Sequence, residues 1–395
     1  MRVIIKILKW LAIIILVAIL GLYLSGNGHV VRGIRSTYLI GKKMPDIDDM
    51  KYFDVSTMKA DKPEPWAVSN AVNAVSLTSQ EQGIVDMYET TALLVIKRDT
   101  IIFEKYWNGA DENTVSNSFS MAKSMCGTLI GIAIKEGYIK SEEQKVSEFL
   151  PEFKEGKAAD LTIRNLLQMS GGIPFGESYG NPFGYMAKAY FSSDLVKETM
   201  KFKVENEPGQ GWTYEGGNTV ILGMILKAAT GRTPSEYFQQ KVWSCIGAEN
   251  DAYWNLDREG GMEKVFSGFY ATARDFAKFG KLYEHNGVLG PDTIINPSYV
   301  YEATSPCMIK DVTPEKSKGE ICDWYGYQCW LGTYENQPYF SFRGLRGQYV
   351  VVIPSQDLMI VRLGHLQSAE RVNHMPADML EYMSMAERIC DEMGY

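Results

Sequence analysis

Apolar positions open the chain as a block. Trp10 to Leu24 is almost unbroken hydrophobic sequence, Arg2, Lys6 and Lys9 precede or interrupt its start, and no acidic residue occurs before Asp46. Basic before apolar is the order of a signal anchor or signal peptide, with the basic end held in the cytoplasm. Residues 1–24 are therefore predicted to anchor the chain or to be cleaved, and an uncleaved anchor is the preferred reading. Residues 25–78, punctuated by Pro45-Asp46, Asp48-Asp49 and Pro63-Glu64-Pro65, read as a juxtamembrane linker. A folded domain is predicted over 79–395.

Within that domain the pattern switches period twice. Ala92–Ile96 and Ile101–Trp107 are β-rich runs separated by Lys97-Arg98-Asp99-Thr100, a hairpin signal. Met121–Lys135 then carries apolar residues at helical spacing. Further helices are predicted after Thr162, from Asn218 to Gly231, after Thr233-Pro234 with Glu236, and from Thr272 with Asp275 to Asn286-Gly287. Strand character returns at Tyr325–Leu331, Pro338–Phe342, Gln348–Ile353 and Leu358–Leu363, and Ala377–Met393 reads as a closing helix. Early strands, a helical insert and late strands predict an α/β fold: one antiparallel sheet built from both chain ends, flanked by helices, with an inserted helical lobe and a cleft between.

Composition narrows the function. Hydrophobic residues make up 45% and charged residues 22%, as in a folded globular protein. The net charge of -8 and the lack of a basic block beyond the N-terminus argue against nucleic acid. No Cys/His cluster has metal-ligand spacing, so no zinc site is predicted; no organic cofactor is expected. Of the six cysteines, Cys126 and Cys245 are expected as packed thiols, and Cys322 and Cys329 as a possible local pair.

The four histidines, His29, His285, His365 and His374, lie in no nucleophile-elbow context, which disfavours a Ser-His-Asp triad. A serine hydrolase here needs another base, and S-x-x-K offers one by placing an ammonium one helical turn from the hydroxyl. The pattern occurs twice, at Ser56–Lys59 in the linker and at Ser120–Lys123 opening an apolar helix. Only the second has free N–H groups and a positive dipole end to favour charge on the serine oxygen. The plainer alternative makes Ser120 an N-cap and Lys123 a surface residue. Tyr214, after the Pro208-Gly209 turn, stands at a junction where a phenol near an ammonium becomes a usable base. Phe342-Arg343-Gly344-Leu345-Arg346-Gly347-Gln348 lies between two late strands, and its glycines permit close backbone approach to a ligand.

In this order, S-x-x-K, tyrosine after a Pro-Gly turn and glycine-bearing strand, the chain resembles the serine β-lactamase and penicillin-binding superfamily. It is most similar to the esterase and 6-aminohexanoate-oligomer hydrolase branch. Supporting landmarks are Leu166–Gly172, Glu177-Ser178-Tyr179, Phe266-Ser267-Gly268, Ala273–Gly280 and Gly344–Gln348. The resemblance implies Ser120 as nucleophile and Lys123 and Tyr214 as the coupled base, with the backbone at Ser120 and Leu345 holding the oxyanion. It also implies Tyr179, Arg343 and Gly344 as substrate-side residues and a small ester or amide as substrate. Two departures stand out. The lactamase Tyr-x-Asn motif reads Tyr214-Glu215-Gly216, leaving Asn218 as a displaced counterpart. The Lys-Thr-Gly strand motif reads Phe342-Arg343-Gly344, without the lysine, although Arg343 or Arg346 offers a replacement cation. A cell-wall peptidase or β-lactamase-type enzyme, or a non-catalytic envelope binding protein, are the competing readings. The expected location is the inner membrane with the domain on the periplasmic side, or secreted after cleavage.

Overall fold

In the computed structural model, which describes every residue except 315, 316 and 318, a seven-stranded sheet forms the scaffold. Its strands run in the order Trp330–Tyr334, Gln337–Gly344, Gln348–Ile353, Leu358–Gly364, Thr90–Lys97, Thr100–Tyr106 and Ala67–Val68. All neighbours are antiparallel except the two-residue edge at Ala67–Val68, which pairs parallel with Thr100–Ile101. Strands from both chain ends thus meet at Thr90–Lys97 and Leu358–Gly364, as predicted.

Side chains alternate across a strand, so a sheet buried on both faces needs continuous apolar runs. Thr90–Lys97 is buried at all eight positions. Leu94 and Ile96 face the large core with Phe342, Val350 and Val361, under the Ala273–Glu284 and Met121–Lys135 helices. Leu93 and Val95 face a second core with Val351 and Ile360, closed by Met379, Tyr382 and Ile389 of the Ala377–Glu392 helix. The predicted hairpin turns at Arg98 and Asp99, both with positive φ, as a tight two-residue hairpin requires.

Helix boundaries follow local chemistry. Thr162 accepts from Asn165 N–H and Thr233 from Glu236 N–H, both as reciprocal capping boxes. Gly231 closes the Gly216–Thr230 helix in the left-handed conformation (φ 69°).

Four expectations need correction. Residues in the predicted linker are folded into the domain. Val55–Met58 pairs with Ala252–Asn255 in a second, four-stranded sheet, and Trp66 lies buried in the large core. The predicted strand Tyr325–Leu331 is instead a tight loop leading into Trp330–Tyr334, because Gln328 (φ 54°) turns there. Its amide donates to the carbonyls of Leu166 (3.1 Å) and Leu167 (2.9 Å). Cys245 is exposed, and Cys322 neighbours Cys307, whose thiol donates to the Cys322 carbonyl (3.5 Å). Among the described residues all cysteines are free thiols.

Candidate active site

The turn that delivers Ser120 is fixed by the smaller sheet. Ser116 and Asn117 pair with Ala271 and Tyr270, and Ser118 N–H donates to the Phe269 carbonyl (2.7 Å). The chain then turns through Phe119, held at φ 46° with its N–H on Asn117 Oδ1 (2.9 Å). A left-handed aromatic residue is strained and persists only where its surroundings impose it. Here the strain sits one residue before Ser120, a feature the sequence did not signal.

Ser120 occupies the N-cap position of the Met121–Lys135 helix, yet its side chain makes no cap bond. Its hydroxyl instead receives Lys123 Nζ at 2.9 Å. Lys123 is 1% exposed. Its remaining partners are the Phe266 carbonyl (3.1 Å) and the rings of Tyr214 (4.9 Å) and Phe266 (5.8 Å). The surface-lysine alternative is therefore excluded. At the other S-x-x-K, Ser56 and Lys59 lie on or just beyond an extended strand, and Lys59 pairs with Asp251 at the surface (2.6 Å).

Tyr214 is half-buried in an aromatic cluster, 5.1 Å from Trp330 and 5.9 Å from Tyr325. Asn218 does not take the place of the missing motif asparagine. It donates to the Glu215 carbonyl (3.3 Å) and packs so tightly on Gly171 that a Cβ there would lie 2.3 Å from its oxygen.

Tyr179 enters from a loop latched to the same segment. Its ring is exposed, while its hydroxyl donates to Glu177 (2.7 Å) inside the site. Desolvation of that hydroxyl, with Glu177 and Tyr214 beside it, holds the phenol well above its ordinary value, opposed by a bond to Ser120. Glu177 also accepts Gly216 N–H (2.7 Å), and Glu215 accepts Gly176 N–H (3.0 Å). These reciprocal bonds tie the Tyr179 loop to the segment bearing Tyr214. Burial pushes the Glu215 carboxyl up to about 7, opposed by the Gly176 bond and reinforced by Glu177. Neither glutamate was singled out in the sequence as a latch, because each pairs across 39 positions.

Gly344 abuts the Ser118–Ser120 turn: a Cβ there would lie 2.0 Å from the Ser118 carbonyl oxygen. That contact brings Leu345 to the wall of a cavity of about 80 Å³ shared with Ser120 and Tyr179. Phe119, Met186, Phe191 and Phe266 form its apolar lining, and no charged side chain contributes. Both arginines of the strand motif are engaged elsewhere. Arg343 stacks on Trp330 (3.9 Å) and donates to the His374 carbonyl (3.2 Å), outside the cavity wall. Arg346 donates to the carbonyls of Pro45 (2.7 Å) and His365 (2.6 Å). Ser120, Lys123, Tyr214, Tyr179 and Leu345 thus converge, Gly344 supports them, and Arg343 lies behind Trp330. The only metal-like group among the described residues, Asp99, Glu284 and His285, is formed at the helix end rather than at Ser120.

The Beta-lactamase family model matches residues 79–382, most of the chain. The chain belongs to the beta-lactamase family. Among its relatives, the 6-aminohexanoate-dimer hydrolase of Paenarthrobacter ureafaciens is 25% identical over 284 residues, 69% of this chain and 72% of that one. A Bacillus anthracis structure, proposed to be a 6-aminohexanoate-dimer hydrolase, superposes with a TM-score of 0.67 at 22% identity, covering 87% of this chain and 92% of the other. A family VIII carboxylesterase superposes with a TM-score of 0.61 at 19% identity, covering 80% and 99%. This beta-lactamase family member is accordingly a hydrolase of the esterase, amidase and penicillin-binding class, with a serine-based site.

Proposed function

We propose that this hydrolase cleaves a carboxylic ester or amide through an acyl-enzyme on Ser120, with its catalytic domain outside the cytoplasm. The carrying observation is the buried Lys123 Nζ on the Ser120 hydroxyl at 2.9 Å, a nucleophile and its activator within hydrogen-bond reach. Ser120 Oγ attacks the carbonyl carbon, and its proton passes to the Lys123–Tyr214 pair. These two groups act as a coupled unit, so the first acceptor is a property of the pair. Backbone N–H groups of Ser120 and Leu345 hold the oxyanion. On collapse the carbonyl–leaving-group bond breaks, and Tyr214 returns the proton to the departing oxygen or nitrogen. Water, deprotonated by the same pair, then attacks the acyl carbon; the Ser120 Oγ–acyl bond breaks and the pair returns the proton to Oγ.

The Arg2–Leu24 helix, long and apolar enough to cross a membrane and with no buried residue, supports an anchored chain. The basic residues at its start favour a cytoplasmic N-terminus and an external domain. Engagement of Arg343 and Arg346 by protein carbonyls favours an ester or amide over a cell-wall peptide whose terminal carboxylate needs a free cation.

Hydrolysis of short p-nitrophenyl esters by the full chain, beside Ser120→Ala and Tyr214→Phe, tests this reading. Turnover in the unaltered chain, none in Ser120→Ala and a large kcat loss in Tyr214→Phe are expected. Equal rates in the unaltered chain and Ser120→Ala would overturn it.

A further inference from the structure

The segment between the N-terminal helix and the first strand closes the Ser120 cavity. Met44 and Pro45 form one side of that cavity, facing Phe119, Met186 and Leu345. The segment is pinned at several points by residues far away in sequence. Arg346 Nε donates to the Pro45 carbonyl at 2.7 Å and stands 3.5 Å from the Asp46 carboxylate. His365 Nδ1 lies 2.8 Å from the same carboxylate, and Lys42 Nζ lies 3.1 Å from its other oxygen. One residue on, the Ile47 carbonyl accepts Asn117 N–H at 2.9 Å, three positions before the nucleophile.

The other side of the cavity is tied to the same stretch of chain. The Gly28–Ser36 helix packs on Tyr185–Phe191, which supplies Met186 and Phe191 to the lining. His29 Nε2 lies 2.8 Å from the Pro182 carbonyl, and Arg32 donates to the Phe191 carbonyl at 3.3 Å. A Cβ at Gly33 would press on the Phe191 ring at 3.3 Å. The segment therefore touches the nucleophile turn, the Leu345 turn and the Phe191 wall together.

We propose that residues 42–49 form a strap that shapes the acyl pocket. Met44 and Pro45 determine specificity for a slender, unbranched apolar acyl group, and Asp46 positions them through Arg346 and His365. The inference rests on Ser120 being the nucleophile. A small cavity lined by thioether, proline and aromatic carbons, without a charged side chain, accommodates methylene groups and rejects charged or branched substituents.

Labelling of Ser120 in the detergent-solubilised full chain by p-nitrophenyl methyl-, butyl- and hexylphosphonates provides the test. Phosphonylation forms a Ser120 Oγ–P bond and expels p-nitrophenolate, so the rate is read optically and the site by peptide mass. Burying two or more methylenes should make butyl labelling at least about tenfold faster than methyl. Met44→Trp, which fills the pocket, should remove that advantage. Asp46→Ala, which frees the strap, should also collapse the butyl-to-methyl ratio. A circular-dichroism spectrum and thermal midpoint matching the unaltered chain show that each variant is folded. A butyl-to-methyl ratio unchanged in both variants would overturn the strap. If both rates fall together while the unaltered chain labels, the strap acts on folding and the specificity role is overturned. Failure of every phosphonate to label Ser120 in the unaltered chain would instead overturn the catalytic reading beneath it.

Discussion

At the scale of single residues, the site depends on contacts shorter than any added carbon would allow. Gly344 is the clearest case, since an alanine Cβ would lie 2.0 Å from the backbone oxygen of Ser118. Backbone cannot rotate aside as a side chain can, so Gly344→Ala must push the strand away from the Ser118–Ser120 turn. Overpacking of this kind costs about 1–3 kcal/mol, and misplacing catalytic groups by an ångström costs on the order of 100-fold in rate. Gly344→Ala should therefore lower both the urea midpoint and kcat. An unchanged kcat would mean that the strand's distance from Ser120 does not matter. Much at this scale was legible in the sequence. Ser120 and Lys123 stand three apart at the start of one helix, so spacing marked them as a pair, while the burial of Lys123 that joins them is seen only in the fold. Phe119 was not legible, because its positive φ is imposed by Asn117 and the neighbouring sheet rather than by its own preference.

At the scale of elements, turns and loops are held by groups that no local pattern announces. Arg362 lies fully buried in the Leu358–Gly364 strand. Its Nη1 donates to the carbonyls of Arg346, Gly347 and Leu366, each at 2.9 Å, and its Nη2 to that of Tyr88 at 2.6 Å. The turn after Leu345 is thus built around one guanidinium. Arg362→Met should cost about 3 kcal/mol or more, because it strands several buried acceptors at once. Urea denaturation measures this, and a loss under about 1 kcal/mol would contradict the role. The central strands were legible as short β-rich apolar runs. Tyr325–Leu331 misled because Gln328 caps the end of a helix more than 160 positions away in sequence, and that bond overrides the β-rich composition.

The Glu177–Glu215 latch belongs to the same scale and carries a pH signature. The Glu215 carboxyl rises from 4.5 to about 7, chiefly through burial. Between those values the native state holds a proton that the unfolded chain has released, so this group makes stability fall as pH rises through the interval. Asp49 and Glu284, raised to about 6 and about 7 by burial, contribute in the same direction. Glu215→Gln should consequently make the decline in thermal midpoint from about pH 5 to about pH 8 shallower without abolishing it. An identical decline in variant and parent would mean that Glu215 is not the group titrating.

At the scale of the whole molecule, two chain ends make one sheet, and an N-terminal segment read from sequence as a linker packs against the active site. The overall architecture was legible because the order of strand and helix patterns constrains it strongly. The packing of residues 42–49 was not, because Asp46 meets His365 across 319 positions and its own stretch looks like polar turn chemistry. The same limit applies to the cavity, whose lining comes from six separate stretches of chain.

The central claim is that Ser120 becomes acylated. Intact-mass measurement of the full chain mixed with a p-nitrophenyl ester and quenched in acid, followed by peptide mapping, tests it most directly. The account predicts one added acyl group per chain, located on Ser120, which decays as product forms and is absent in Ser120→Ala. Product released with no acyl group on Ser120 at any time, or an acyl group that persists in Ser120→Ala while turnover continues, would contradict it.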